Sequence, residues 1–250
     1  MLRLFRKVRQ SFTDSNSIRK YLFYAVGEIL LVVVGILLAL QINNWNQDKV
    51  NKNIEKKLLG ELIENLTVNE SRLSASIQEE LKTASSIEIL VDVLENKKPY
   101  HDSLDYHFGR ADFASDIVLT NTAFEAISSR GFEIIRSDEI RKHIIDLFDS
   151  EYGFLIAMTI RLEDLFWPSS SLPLFHKHFR IKSMDKHNLD NGGDFDAVPV
   201  DYDALLNDDE YHNMIKHRGA FRYDGANIKR GVLEKTRVLI NELKEYLAKF

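Results

Sequence analysis

Residues 21–42 read YLFYAVGEILLVVVGILLALQI, an apolar run interrupted by one carboxylic acid, Glu28, and by Gly27 and Gly35. At a rise of about 1.5 Å per residue, these 22 residues match the ~30 Å hydrocarbon core of a bilayer. The run therefore predicts one membrane-crossing helix. A cleavable signal peptide has a shorter apolar region, about 7–15 residues, followed by a small-x-small site. Here Ala39 is flanked by Leu37, Leu38 and Leu40, so the segment reads as a retained anchor. No later stretch qualifies, because Phe154–Trp167 is interrupted by Arg161, Glu163 and Asp164.

Orientation follows from Lys and Arg near the ends of the span. The N-terminal flank carries Arg3, Arg6, Lys7, Arg9, Arg19 and Lys20, against Lys49, Lys52, Lys56 and Lys57 on the other side. The bias predicts a cytoplasmic N-terminus and an extracytoplasmic C-terminal part. Tyr21, Tyr24 and Trp45 stand where interfacial aromatics belong. The chain has no cysteine, so that part is not a disulfide-stapled domain.

Charge gains meaning once the chain is divided at the span. The first twenty residues hold six basic groups and Asp14, so a whole-chain charge of −5 leaves −10 for residues 21–250. An acidic domain does not suit nucleic acid, whose phosphates need clustered Lys and Arg, and no nucleic-acid partner is expected. The basic tail suits anionic lipid headgroups, with Leu2, Leu4, Phe5 and Val8 dipping into the bilayer.

Beyond the span, apolar residues recur at steps of three and four from Val50 to Leu94, which predicts a helix ending near Lys97, Lys98 and Pro99. Leu59, Leu62, Leu66, Asn69 and Leu73 follow coiled-coil positions for two heptads. After that the register reads as drifting, with Glu80 on the seam, so a short stalk leading into a bundle is expected in place of a long coiled coil. Thr122 and Glu125 form a candidate capping box, with Gly131 as a left-handed stop. Ser137 caps a long central helix that persists to Pro168 and bends at Gly153. Asn207 and Glu210 cap a shorter helix through Ile215, and a last helix runs from about Gly225 to Phe250. Residues 168–202, with three of the four prolines and Gly192–Gly193, read as a long irregular loop and the best place for a binding surface. The expected fold is all-α: a tail over 1–20, a transmembrane helix over 21–42, a helical stalk or first bundle helix over 43–98, and a helical domain over 99–250 with a long loop at 168–202.

YAVGEILLVVVGILLALQINNWN at 24–46 resembles the anchor of an uncharacterised bacterial family of single-span inner-membrane proteins, approximately YAxGEIxLVVxGILxALQINNWN. TNTAFEAISSRGFEIIRSDEIRKHIIDLF at 120–148 resembles that family's helical body. The resemblance implies a helical protein anchored in a bacterial inner membrane. It supplies no activity, cofactor or catalytic residue.

Glu28 lies ~10 Å into the apolar segment. An ionised carboxylate facing lipid there is costly, so it is expected to be neutral, paired, or turned toward another helix or water. At 100° per residue Tyr21, Tyr24, Glu28, Val32, Gly35, Ala39 and Ile42 share one stripe. Gly35 and Ala39 make a small-xxx-small step on it, the kind of surface that lets helices approach. Tyr24, Glu28, Gly35 and Ala39 are thus candidate helix–helix contacts, with Glu28 bonded to Tyr24 or to its symmetry mate. The competing reading is a proton or ion relay in an accessory subunit of an ion-driven complex, or alternatively a sensory ligand-binding module.

The eight histidines place only His176 and His178 close in sequence, and there is no HExxH. The acidic run Asp190–Asp196 lacks EF-hand order and its closing Glu, and reads as a solvated loop. Ser169, Ser170 and Ser171 read as a polar turn, and no nucleotide-binding or hydrolase motif occurs. No catalytic residue, metal site or cofactor is expected. The expected function is a membrane-anchored interaction or scaffold protein whose partners are the lipid bilayer, a second copy of itself and an unidentified protein.

Overall fold

The computed structural model describes residues 15–113, 117–182 and 195–250, with side chains from Tyr21 onward. The chain divides into two compact units, Met1–Glu55 and Lys56–Phe250. Helix α1, Ser15–Glu95, contributes to both. It is long and apolar enough to cross a membrane near its N-terminal end, and none of that apolar window is buried.

Among the described residues the second unit is all-α apart from one pair of short strands. Helices α2 (Leu104–Asp112) and α3 (Thr122–Arg130) follow α1, then α4 (Asp138–Ile145), α5 (Gly153–Ile160), α6 (Leu172–His178), α7 (Tyr202–Leu205) and α8 (Asp209–Leu247). Strands β1 (Phe179–Ile181) and β2 (Ala197–Pro199) pair antiparallel, Phe179 opposite Pro199 and Ile181 opposite Ala197.

The α1 seam does not drift. Every seventh residue from Leu59 (Leu66, Leu73, Glu80, Ile87, Leu94) and every seventh from Leu62 (Asn69, Ser76, Thr83, Leu90) is buried. Helix α8 keeps the same spacing, burying Tyr211, Arg218, Gly225, Val232 and Leu239 on one line and Ile215, Arg222, Lys229, Thr236 and Leu243 on the other. Both seams follow the 3.5-residue average spacing of a coiled-coil contact. The two helices pair antiparallel within the chain: Glu95 meets Lys216, Glu88 accepts from the Tyr223 hydroxyl at 2.6 Å, and Glu70 accepts from Arg237 at 2.8 Å. Of the two readings of 43–98, its Glu70–Glu95 part is a bundle helix paired within the chain.

Two helices expected over 207–215 and 225–250, and a helix expected to end at Pro168, are continuous in the structure. Gly219 and Gly225 lie inside α8, so one helix replaces the two expected over 207–215 and 225–250. A Cβ at Gly219 would stand 2.9 Å from Ile87 Cγ2, so this glycine is a site of close helix approach. The cap of α8 is Asp208, whose Oδ1 accepts from the backbone N–H groups of Glu210 and Tyr211 at 3.0 Å each. Asn207 instead accepts from Lys97 Nζ at 2.9 Å. Ser137 caps α4 as expected, accepting from Ile140 N at 3.3 Å. Beyond α4 the path stays helical to His178, with π-helical segments at Asp146–Tyr152 and Arg161–Ser171. Pro168 sits in the second of these, where i→i+5 bonding has already replaced the ladder that proline would break.

Two further expectations are corrected. The Thr122–Glu125 capping box does not form, because Asn65 on α1 accepts from Thr122 Oγ1 (2.9 Å) and Ala123 N (3.0 Å). Gly131 does adopt a positive φ of 92°, but with ψ 133° it is not in the left-handed helical region. The 168–202 stretch is not one irregular loop, since α6 and the hairpin occupy most of its described part. There Phe175, Phe179 and Ala197 join Leu90, Leu94, Phe108, Tyr211 and Ile215 in a common core. That apolar burial explains why this segment is ordered into helix and hairpin.

Candidate functional site

Midway along the α1–α8 seam the apolar layers give way to charge. Lys229 Nζ donates to Glu80 Oε1 at 2.6 Å and to Ser76 Oγ at 2.8 Å. Arg222 donates to Glu80 Oε2 at 3.1 Å and to Glu163 Oε1 at 2.6 Å. Glu80, Arg222 and Lys229 are all buried, with side chains no more than 6% exposed. Glu163 comes from the second π segment, so the belt ties three pieces of chain together. Its two carboxylates and two cations balance, which is the condition under which charges tolerate burial. Gly225 packs against it, and a Cβ there would lie 3.5 Å from the Glu80 carboxylate, an ordinary contact distance.

A second group adjoins the belt. Arg218 donates to the carbonyls of Ala111 at 2.7 Å and Asp112 at 2.9 Å, placing a cation on the C-terminal end of α2. Burial, and then the like charge of Arg222, bring the Arg218 pKa down to about 10, so it remains charged at neutral pH. The Asp112 carboxyl is raised by burial, with Arg218 and the Trp167 indole opposing that rise. Trp167 Nε1 donates to Asp112 Oδ1 at 3.2 Å. The cavity beside Asp112, Tyr211 and Arg218 has about 10 Å³ of free volume, room for at most one water. Chemically this arrangement can hold helices in one register, and this cavity is too small for a substrate.

An open groove of about 440 Å³ lies between the α4 end of the long helical path and α8. Leu147, Val238 and Leu239 give it an apolar floor; His143 bridges to Glu242 at 2.7 Å, and Lys235 pairs with Glu151. Among the described residues no three His, Cys, Asp or Glu side chains are grouped to hold a metal ion.

The four residues expected at a transmembrane contact, Tyr24, Glu28, Gly35 and Ala39, all lie on α1 and are exposed. A Cβ at Gly27 or Gly35 would meet nothing within 4 Å. Glu28 and Tyr24 do not bond to each other. His176 is exposed, whereas His178 is buried with Nε2 2.8 Å from Asp208 Oδ2, so the two do not form a common site. The Ser169 hydroxyl donates to the Leu165 carbonyl at 2.7 Å, a local turn contact. The basic tail through residue 14, His187 and the acidic run up to Asp194 lie outside the described residues.

Residues 28–198 match a family of unknown function, DUF6090. The chain belongs to that family. No curated protein and no solved structure matches it. The DUF6090 match includes Glu80 and Glu163 but stops short of α8, which carries Arg222 and Lys229. Sequence reasoning missed this belt, although one signal for it exists: Arg222 and Lys229 are seven residues apart on a strict heptad line.

Proposed function

We propose that this DUF6090 protein is a membrane-anchored scaffold whose helical domain, outside the cytoplasm of a bacterial inner membrane, engages other proteins while the span associates with a second copy. The reading rests chiefly on one observation, the apolar Tyr21–Ile42 stretch with no buried part. In water such a surface would drive aggregation; in lipid it is the expected exterior. The stripe holding Tyr24, Glu28, Gly35 and Ala39 is the contact face, with the small residues permitting close approach and Glu28 bonding across it. Lys and Arg in the flanks support a cytoplasmic N-terminus.

Fractionation with detergent extraction, combined with a C-terminal alkaline phosphatase fusion, tests anchoring and topology together. An active fusion in the membrane fraction is expected; an inactive fusion or a soluble protein overturns the reading. Because the chain has no cysteine, Ile42→Cys on the stripe supplies a unique thiol for crosslinking in membranes. A dimer is expected, and monomer alone removes the transmembrane contact.

A further inference from the structure

Helix α5 is held by little. From Gly153 to Leu162 only Leu155 is buried, although Phe154, Ile156 and Ile160 are equally apolar. Firm anchors lie at the ends: Tyr152 shares a 2.9 Å hydrogen bond with Thr236 on α8, and Trp167 donates to Asp112. A π segment also stands on each side, Asp146–Tyr152 before α5 and Arg161–Ser171 after it. We propose that α5 is a slip device: π geometry passes from the second segment to the first, and the chain between Tyr152 and Trp167 turns about its own axis by close to one residue.

A π residue turns the path by about 85° and an α residue by about 100°. If the first segment grows through α5 while the second shortens by a similar length, what lies between rotates by up to about 100°. The turn builds up through α5 and dies away toward Trp167, so both anchors are kept. In this sense of rotation each side chain moves toward the place of the residue before it. Ile156 moves toward the place of Leu155, and Asp164 toward the place of Glu163.

These exchanges match in chemistry. Leu155 is fully buried, and Ile156, its isomer, is 41% exposed. Glu163 is bonded to Arg222, whereas Asp164 is exposed with no hydrogen-bond or ion-pair partner among the described residues. An aliphatic residue and an acid thus face inward at 155 and 163, and the same two types stand one residue on, turned outward. The present link is also an incomplete fork, because Glu163 Oε2 and Arg222 Nε are buried without a partner among the described residues. The slip changes the outer face of the segment, Leu155 for Ile156, without unfolding it.

Single cysteines in the otherwise cysteine-free full-length chain report the slip through their rates of maleimide alkylation in the detergent-solubilised protein. Leu155→Cys is expected to react slowly and Ile156→Cys quickly. Glu163→Gln removes the charge that favours the present register while Asp164 keeps its own. It should raise the ratio of the Leu155→Cys rate to the Ile156→Cys rate by roughly tenfold, and adding Asp164→Asn should return the ratio to its starting value. If circular dichroism shows that Leu155→Cys does not fold, Met158→Cys replaces it, since half-buried Met158 moves toward the exposed place of Ala157. Rates that rise together at the inner and outer positions show general loosening and overturn the device. A ratio indifferent to Glu163→Gln, or one that stays raised with Asp164→Asn, overturns it as well. Neither anchoring nor self-association enters these rates, so their failure leaves this test intact.

Discussion

Residues 21–42 and the middle of the α1–α8 seam are built inside out with respect to each other. In the first, Leu, Val and Ile side chains face outward and stand largely exposed. In the second, Glu80, Arg222 and Lys229 face inward, cut off from water. Both lie on heptad-capable helix, and hydropathy alone would assign them the opposite way round. The difference shows that burial is set by partners. Charges go inside where counter-charges meet them within 3.1 Å, and apolar groups stay outside where the surroundings are expected to be hydrocarbon.

The largest effect should come from breaking the inward charges one at a time. Lys229→Met leaves Glu80 buried with one partner lost and is expected to cost about 3–5 kcal/mol in urea unfolding of the detergent-solubilised protein. Replacing Glu80, Glu163, Arg222 and Lys229 together by Leu or Met should cost far less, or stabilise. If the quadruple variant is as unstable as the single one, the belt contributes something other than balanced pairing.

Gly219→Ala comes next, with an expected loss of about 1–3 kcal/mol because its Cβ would collide with Ile87. The same change at Gly225 meets only ordinary contact distances and should stabilise α8 by about 0.5–1 kcal/mol. Thermal melts of the two variants compare them directly; shifts of the same sign would refute the distinction between approach point and charge pocket.

Asp208 gives a pH-dependent contrast. Its carboxyl is held well below the usual range, first by the Lys177 ammonium and then by the Tyr211 N–H. A depressed folded value means that this stabilisation is present above about pH 4 and is lost as pH falls toward the folded value. Asp208→Asn keeps a cap acceptor and removes the charge, so it should cost about 0.5–1 kcal/mol at pH 7. The gap from the wild type should close in acid; a gap constant with pH would show that charge plays no part.

The smallest effect is expected at Glu28. Glu28→Gln retains a hydrogen-bonding side chain, and crosslinking through Ile42→Cys should be unchanged. Preserved dimer with abolished cellular function would turn the reading toward an ion relay.

The long apolar helix was legible because 22 consecutive residues carry its signal locally. The all-α character was legible for the same reason, in three- and four-residue steps. What could not be read was the continuation of the seam through Ser76, Glu80 and Thr83. A polar residue on a seam looks like its end unless its partner is known, and for Glu80 the partners lie 142 and 149 residues away. Gly219 hid its role in a related way: by propensity glycine weakens a helix, and only the packed Ile87 opposite shows why one is needed there. Asn207 was taken for a cap that the next residue, Asp208, supplies. Phe154, Ile160 and Leu165 were read as part of a central helix, and their exposure could not be seen because an apolar residue does not by itself name its partner.

The two π segments bear on how such chains change over generations. Compared with an α-helical path, a π turn holds a surplus residue. A homologue lacking one residue within Asp146–Tyr152 could close that segment into ordinary α-helix, because six α residues at about 100° each turn as far as seven π residues at about 85°. Phe154, Ile160 and Leu165 would keep their sides of the helix and only their numbers would shift by one. The same single-codon deletion in the α-helical stretch Gly153–Ile160 would instead turn everything beyond it by about 100°, so alignments should place gaps at the π segments before residues 153–168 are compared.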